Sequence, residues 1–528
     1  VSNEVGQTQF SQKARLWLAP VLTVLLFAIF PLRTFVRPDN PLADPGTGWH
    51  LKTGQIILDS GALPQVDLYS FTLPSGTVCV IYEWLFEVLM ALIERVGGLP
   101  LLTAVCVVIY SLLPVLLYRR MMAAGANIFI ALGCALLTHM VWLLHGLVRP
   151  HIVTYLFLSF FLLALEKAER SWVDNSGDKT WDYKKYIWMP LLMVPWCNLH
   201  PGFCLGIVLV GIYAGVSGVE WLRKRSECLY CRAKFYAALF ISVGTASLLN
   251  PYGPRLHGVI LEVQGLASLT MFQEFARPNY NAGGGMLIYL ILLVLFFLVL
   301  CRKQKPLAAV ECVCLAFFLF FALKHNRHIF TFIMVVGPFF ARELSAIVAL
   351  YMPGFDKAAR RIGEQQQMLR GEVWQIAALA FLFMWLSVAR PELFRRELAG
   401  IHLSRGAMAF IESHIADFQR PFHGTGEAGE LIYYFNPRLK VFVDDRADLY
   451  GDKFLLGDLA GVQNLTGRWR QVFEKHKLTS AILGADSPVA TLLENTPGWE
   501  RVYEDKKNKL YILRTVMPQP VSCEQPKT

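Results

Sequence analysis

Pro41-Leu-Ala-Asp44-Pro-Gly-Thr-Gly-Trp49-His50-Leu-Lys52-Thr-Gly-Gln-Ile56 is the stretch from which the rest of the chain is read. It follows the first long apolar run, Trp17 to Leu32, and breaks away from it through Pro31, Pro38 and Pro41. An acidic residue and a histidine therefore stand just beyond a membrane exit. The chain then stays polar and turn-rich to about Thr77, and a loop of that length is uncommon unless it has a task. An ordinary surface loop is the alternative.

Outward from this stretch, composition sets the class. With 528 residues, 55% of them apolar and only 17% charged, and a mean hydropathy of +0.41, the chain reads as a polytopic α-helical membrane protein. The formal charge of +10 suits basic loops against anionic lipid and does not call for nucleic acid. Cys228 and Cys231 form a lone CxxC on a basic loop, without a second pair or a nearby histidine; they read as reduced thiols, with a metal pair as the alternative. Trp17–Leu32 lacks a small-residue cleavage site, so a retained first span is expected.

About eleven candidate spans follow: Trp17–Leu32, Leu99–Tyr118, Ile128–Leu144, Ile152–Leu165, Tyr186–Trp196, Cys204–Trp221, Phe235–Leu249, Met286–Leu300, Leu307–Phe321, Ile329–Leu350 and Ile376–Val388. Basic residues gather in alternate loops: Arg119-Arg120, Lys167–Lys185, Arg223–Lys234, Arg302–Lys305 and Lys357–Arg370. The positive-inside rule makes that side cytoplasmic, together with Lys13 and Arg15 at the N-terminus. Val78–Glu94 breaks the alternation. Its Glu83, Glu87 and Glu94 share a helical face, and an amphipathic helix on the outer surface, or a re-entrant one, closes the topology.

Residues 1–390 are thus expected to form the transmembrane domain, with 33–98 as a first outer loop carrying amphipathic helices. Residues 391–528 lack a spanning run and read as a small soluble α/β domain on the outer side. Within it Lys440–Val443 and Ser480–Leu483 read as buried strands, and Trp499–Tyr503 with Leu510–Leu513 as a hairpin. Pro488 marks a helix start, and Gly424-Thr-Gly426-Glu-Ala-Gly429 reads as a helix-start turn rather than a phosphate cradle. Asp444-Asp445-Arg446-Ala-Asp448 fits either a metal or sugar site or a salt-bridge cluster, and the tail Met517–Thr528 reads as disordered.

The polar residues in or beside the apolar runs collect on the expected outer side, where ionisable groups are costly and point to function. Lys324-His325-Asn-Arg327-His328, with Arg149, resembles an anion site: arginine grips phosphate bidentately and lysine adds a point charge. Trp49, Trp142 and Trp196 fit either sugar stacking or the interfacial belt. A substrate with a phosphate and a long apolar tail suits this layout, and Asp44 is the carboxylate placed to act in glycosyl transfer, with His50 and Glu83 near it in an outer cavity. Asp67, Asn198, His200, His151 and Arg277, with Trp49, are the candidate lining of the sugar or acceptor pocket. As an exposed loop residue Asp44 would keep an ordinary carboxylate pKa. Its alternative role is to cap a helix beginning near Trp49 or to pair with Lys52.

Asp44-Pro-Gly-Thr-Gly-Trp49-His50, Leu63-Pro-Gln-Val-Asp67-Leu-Tyr-Ser-Phe71, Tyr82-Glu83-Trp84, Arg149-Pro, Asn198-Leu-His200, Asn250-Pro-Tyr-Gly253 and Val443-Asp-Asp-Arg446-Ala-Asp448-Leu-Tyr-Gly451 together resemble bacterial GT-C-like integral membrane glycosyltransferases. These are distantly like the protein mannosyltransferases and lipid A aminoarabinose transferases. The resemblance implies a polyprenyl-phosphate-linked sugar as donor, an acceptor in the periplasm, and a bacterial inner-membrane location. It also implies an acidic catalytic residue in the first outer loop, matched by Asp44. Many members bind a divalent cation, Mg2+ or Mn2+, for which Asp44, Glu83 and His200 are the candidate ligands. The pattern departs from that group in one respect. Paired acidic residues are common in that loop, whereas Asp44 is followed by glycine and tryptophan, and Asp67 is the later carboxylate. Two other classes remain: a lipid-linked glycan transporter or flippase, which predicts internal repeats and mid-membrane charges, and a non-catalytic envelope assembly protein.

Overall fold

The computed structural model describes residues 23–29, 31–32, 41–142, 146–174, 183–272, 274–279, 284–302, 306–367, 372–394, 398 and 400–514. Lys13, Arg15, the start of the first apolar run, His145, Lys303, Lys305, Arg370 and the tail Met517–Thr528 lie outside the described residues. The chain divides into two compact units, one from 1–41, 82–262 and 269–396, the other from 42–81, 263–268 and 397–528.

The first is a helical unit. The apolar runs become the helices Ile128–Trp142, His151–Asp174, Trp188–Leu199, Phe203–Lys224, Glu227–Ala246, Gly284–Arg302, Ala309–Lys324, His328–Tyr351 and Glu372–Ala389, with Pro195 and Pro338 inside two of them. Among the described residues four helices are long and apolar enough to cross a bilayer: Trp84–Ala123, His151–Trp172, Phe203–Lys224 and His328–Tyr351. Trp374, Phe381 and Trp385 on Glu372–Ala389, and Leu298 on Gly284–Arg302, are exposed apolar side chains of the kind a lipid surface covers. This is a polytopic, mostly helical membrane-type fold.

The Val78–Glu94 segment behaves differently from its expected amphipathic face. Glu83 is the N-cap, outside the helix that begins at Trp84, and Glu87 is fully buried. The exposed side carries Leu89, Leu92 and Val96 instead, so the apolar face turns outward. That first stretch continues into the following long helix through a break at Gly97–Gly98, where Gly98 takes the left-handed φ of 65°.

Charged side chains inside this unit are paired, as burial demands. Arg120, expected as a loop charge, is 1% exposed and donates to Glu166 Oε1 (2.5 Å) and to the Met334 carbonyl (2.5 Å), which ties three long helices. Arg232 bridges Glu169 and Glu220, and Arg342 donates to Glu311.

The second unit contains a four-stranded sheet: β1 Pro421–Phe422, β2 Ser480–Gly484, β3 Trp499–Glu504 and β4 Asn508–Leu513, in the order β1-β2-β4-β3. β1 and β2 are parallel, while β2–β4 and β4–β3 are antiparallel, with Gly484 opposite Asn508 and Trp499 opposite Leu513. The 499–513 hairpin and the Pro488–Glu494 helix with proline in its first turn follow from local chemistry. The expected strand at Lys440–Val443 is not one. Its apolar residues are buried, but only Val441 makes a β-bridge, to Ser70. The neighbouring backbone groups are taken by side chains: Phe442 N donates to His423 Nε2 (2.9 Å), and Asp444 N to Tyr450 Oη (3.1 Å).

Residues 42–81 belong to this unit. The helix Thr47–Ser60 packs against Thr425–Phe435. Their backbones touch: a Cβ on Gly48 would lie 2.0 Å from the Gly429 carbonyl oxygen, and one on Gly429 would lie 2.0 Å from the Pro45 carbonyl oxygen. Tyr69 joins the core of Leu403, Ile411, Phe418, Leu431 and Ile482, with Trp49, Ile56 and Leu68 packed against it. The Gly424–Gly429 segment starts a helix, as its sequence suggests, and Glu427 accepts from the Gly424 N–H (3.1 Å).

Candidate functional site

Asp44, Trp49, His50 and Asp67 lie in the sheet-containing unit, and the other expected site residues lie in the helical unit. Each group is described within its own unit.

Asp44 is 5% exposed, not the water-facing loop residue expected, because the turn folds its carboxylate back to accept the Gly46 N–H (2.7 Å). The helix starts at Thr47, earlier than expected, with Gly46 rather than Asp44 at its N-cap. Asp445 approaches from the other side. A Cβ on Gly46 would stand 2.9 Å from Asp44 Oδ1 and 2.8 Å from Asp445 Oδ2, so a side chain here would have to push the two carboxylates aside. Trp49 donates its indole N–H to Asp445 Oδ1 (2.5 Å), and its ring lies 3.6 Å from that of His50, itself 3% exposed.

The rest of the 444–448 motif is a salt-bridge cluster. Buried Arg446 donates to Asp444 Oδ2 (2.6 Å) and Asp67 Oδ1 (2.7 Å), and its guanidinium lies over the Trp49 and Tyr69 rings at 5.5 and 5.0 Å. Asp67 also accepts the Ser70 N–H (2.8 Å), so this expected pocket residue is engaged in holding the loop to the sheet-containing unit. Burial pushes the Asp448 carboxyl up to about 6, against the pull of Arg446.

In the helical unit one cluster is cationic. Arg149 donates to Glu274 Oε2 (3.0 Å), and Arg327 lies 4.0 Å from Glu274 Oε1. The Arg327 guanidinium covers the Phe275 ring at 4.4 Å, His325 Nδ1 donates to the Phe275 carbonyl (2.6 Å), and the His325 and His328 rings are 6.1 Å apart. Lys324 ends one helix and His328 begins the next, which brings this sequence motif to two helix ends. Glu274, which the motif reading left out, is the centre of this cluster: one carboxylate between two arginines. Arg277 is exposed on the same segment.

The second helical-unit cluster surrounds His200. Its Nε2 is 3.6 Å from Glu83 Oε1, and its Nδ1 is 2.8 Å from Thr154 Oγ1. Asn198 ties three elements: it accepts from Trp84 Nε1 (2.9 Å) and donates to the Val194 (2.7 Å) and Leu249 (2.9 Å) carbonyls. His151 Nε2 donates to Tyr110 Oη (3.1 Å), whose own proton goes to the Leu147 carbonyl. Trp196, a sugar-stacking candidate, is fully buried against Phe157 and Phe161 and has no open face. The side chain of Trp142 lies outside the described residues. Among the described residues no three His, Cys, Asp or Glu side chains converge as a metal-ligand group, and Cys228 and Cys231 are free thiols in a helix.

No protein-family profile matches the chain, and no curated protein matches it in sequence. Among solved structures the chain is similar to the oligosaccharyltransferase of Archaeoglobus fulgidus in its apo form, with 10% identity and a TM-score of 0.50 over 90% of this chain and 69% of that one. It is also similar to AglB of the same organism in complex with an inhibitory peptide and a dolichol-phosphate (10%, TM-score 0.49, 98% and 75% covered). A third is ArnT from Cupriavidus metallidurans bound to undecaprenyl phosphate (17%, TM-score 0.45, 94% and 99% covered). The first is a likeness of fold. The chain thus shares its polytopic helical fold with the apo oligosaccharyltransferase structure.

Proposed function

We propose that the chain is a glycosyltransferase that moves a sugar from a polyprenyl-phosphate carrier to a periplasmic glycan, lipid or protein acceptor. It would sit in the bacterial inner membrane with about eleven spans, its N-terminus cytoplasmic and residues 391–528 periplasmic. The observation that carries the reading is the Arg149–Glu274–Arg327 cluster. Two guanidinium groups at the ends of apolar helices flank the Glu274 carboxylate, with Lys324, His325 and His328 on the adjoining helix ends, donor types that suit an anion. A solved structure of similar fold is an oligosaccharyltransferase, and glycan transfer is carried from it to this chain as part of the proposal.

In this reading Arg149 and Arg327 hold the carrier phosphate, supported by Lys324, His325 and His328, while the isoprenoid tail lies along outward apolar helix faces. The sugar C1–O bond breaks with its electron pair leaving on the phosphate, and the acceptor forms the new bond to C1. Asp44 takes the acceptor proton, a role that needs a positioned carboxylate. Its alignment comes from the Gly46 amide. Glu83 is assigned as a second carboxylate, to offset positive charge developing at C1. Trp49, His50, His151, Asn198, His200 and Arg277 are assigned to the surroundings of donor and acceptor, and Asp67 acts through Arg446. Among the described residues no group of three His, Cys, Asp or Glu side chains converges for the divalent cation that the resemblance implies. No step is routed through a metal. The test is transfer of label from a polyprenyl-phosphate sugar by purified protein; a parent protein that neither binds nor turns over any such carrier overturns the reading.

A further inference from the structure

His328–Tyr351, long and apolar enough to cross a bilayer, stops at Met352, whose φ of −135° and ψ of 59° leave the helical region. Pro353 opens a second helix, Pro353–Gln367, with no linker between; proline suits a first helical position because its missing N–H has no partner there. One face of this helix is clamped to the bundle. Asp356 is buried and accepts from Asn127 Nδ2 (3.3 Å) and Arg360 Nε (2.6 Å), and Arg360 also donates to the Gly125 carbonyl (3.3 Å). Ala359 is fully buried, and a Cβ on Gly363 would stand 2.9 Å from Met122 Cε. Residues 356, 359 and 363 are three and four apart, so they share that inner face. The opposite side is open. It carries Lys357, Ala358 and Arg361, all exposed, and among the described residues neither cation has an acidic partner.

Next to the two cations lies an exposed apolar group. Leu350, Tyr351 and Met352 at the turn are exposed, as is Phe355 in the first turn of the helix, and Phe355 stacks on exposed Phe129 with ring centroids 5.5 Å apart. A helix with one apolar and one basic flank is suited to lying in a bilayer surface. We infer that Pro353–Gln367 is an interfacial platform that binds anionic phospholipid headgroups, with Leu350–Met352 and Phe355 among the acyl chains and Lys357 and Arg361 on the lipid phosphates. Lipid is the occupant that fits, because the patch continues directly from a helix able to cross a bilayer and its charge is opposite to that of an anionic leaflet. Arginine grips a phosphate through its fork, and lysine adds a point charge. The clamp at Asp356, Ala359 and Gly363 holds the helix formed in the absence of lipid, so binding does not have to order it. The surface is independent of sugar transfer and stands whether or not the chain acts on a polyprenyl carrier.

The experiment follows thermal unfolding of the purified protein in neutral detergent, titrated with phosphatidylglycerol or phosphatidylcholine. It compares the parent with Lys357→Gln/Arg361→Gln and with Arg223→Gln/Lys224→Gln, which removes the same charge at another exposed helix end. Phosphatidylglycerol should raise the parent's melting temperature at lower concentration than phosphatidylcholine does, and the difference should fade at high salt. Lys357→Gln/Arg361→Gln should need about tenfold or more phosphatidylglycerol for the same rise, since each cation near an anionic surface contributes about fivefold. Its melting temperature without lipid should stay parental, because both positions are exposed. Arg223→Gln/Lys224→Gln should follow the parent. Equal protection by the two lipids, or equal loss in both double variants, overturns the inference. Native mass spectrometry gives a readout that does not depend on stability: the parent should retain more phosphatidylglycerol than Lys357→Gln/Arg361→Gln, and equal retention overturns the inference. So does a dimer in lipid-free detergent that Phe355→Glu dissociates, because it gives the face to a second copy of the chain.

Discussion

Asp44 Oδ1 and Asp445 Oδ2 flank the Cα of Gly46, at 2.9 and 2.8 Å from where a first side-chain carbon would stand. Two carboxylates far apart in the chain thus meet at a single backbone position. The relationship depends on the helix-on-helix contact beside it, where Gly48 meets Gly429 backbone to backbone.

Glycine at these positions is a packing requirement. Gly48→Ala and Gly429→Ala each place a methyl 2.0 Å from a carbonyl oxygen, which only separation of the two helices relieves. Each should cost at least about 1–3 kcal/mol in thermal unfolding. Gly46→Ala should cost less, because the atoms it meets are side-chain oxygens. Gly457→Ala, with open space around it, should stay within about 0.5 kcal/mol of the parent.

Asp44→Asn keeps the acceptor oxygen for the Gly46 amide and removes the charge. Turnover should fall by roughly 10²–10⁴, with carrier affinity and melting temperature close to parental. Transfer of labelled sugar at the parental rate would remove Asp44 from the mechanism.

Arg327→Ala should weaken binding of the polyprenyl-phosphate by about tenfold or more, and Arg327→Lys should recover only part of it, because lysine keeps the charge and loses the planar fork. Equal affinities for the parent and Arg327→Ala in a carrier-binding titration would return the cluster to a purely structural role.

Stability in the sheet-containing unit should carry opposed pH dependences. Glu430, 2% exposed and accepting the His402 and Leu403 amides, is pushed up to about 7 by burial. Between the ordinary glutamate value and 7 the folded state binds the extra proton, so this group lowers stability as pH rises. Burial holds His423 down at about 4, so between 6.5 and 4 the unfolded state binds the extra proton, and this group raises stability with pH. In Glu430→Gln the rise in melting temperature from pH 5 to pH 7 should therefore be steeper than in the parent. An identical slope would show that Glu430 is not proton-loaded in the folded state.

The apolar runs were legible as helices because their signal is contained in short windows: uninterrupted side chains that cannot remain in water, bounded by proline, glycine or charge. The 499–513 hairpin and the proline-led helix at 488 are local in the same way. The Val78–Glu94 face was misread because carboxylate spacing alone does not say which side of a helix is buried. The 440–443 run was misread as a strand because burial and apolarity are shared by any covered segment, and only the partners of its amides distinguish them.

By itself the sequence determined the membrane class and where the apolar runs form helices. What it could not determine was which charges neutralise one another. That Asp67 is held by Arg446, that Arg120 is an internal clamp, that Glu274 sits between Arg149 and Arg327, and that Asp44 is buried beside Asp445 all depend on contacts between distant parts of the chain. Hydrophobic periodicity acts over a few residues and is written in order along the chain. Electrostatic pairing and the direction of a hydrogen bond depend on atoms a few ångströms apart, and only the tertiary structure decides which atoms those are.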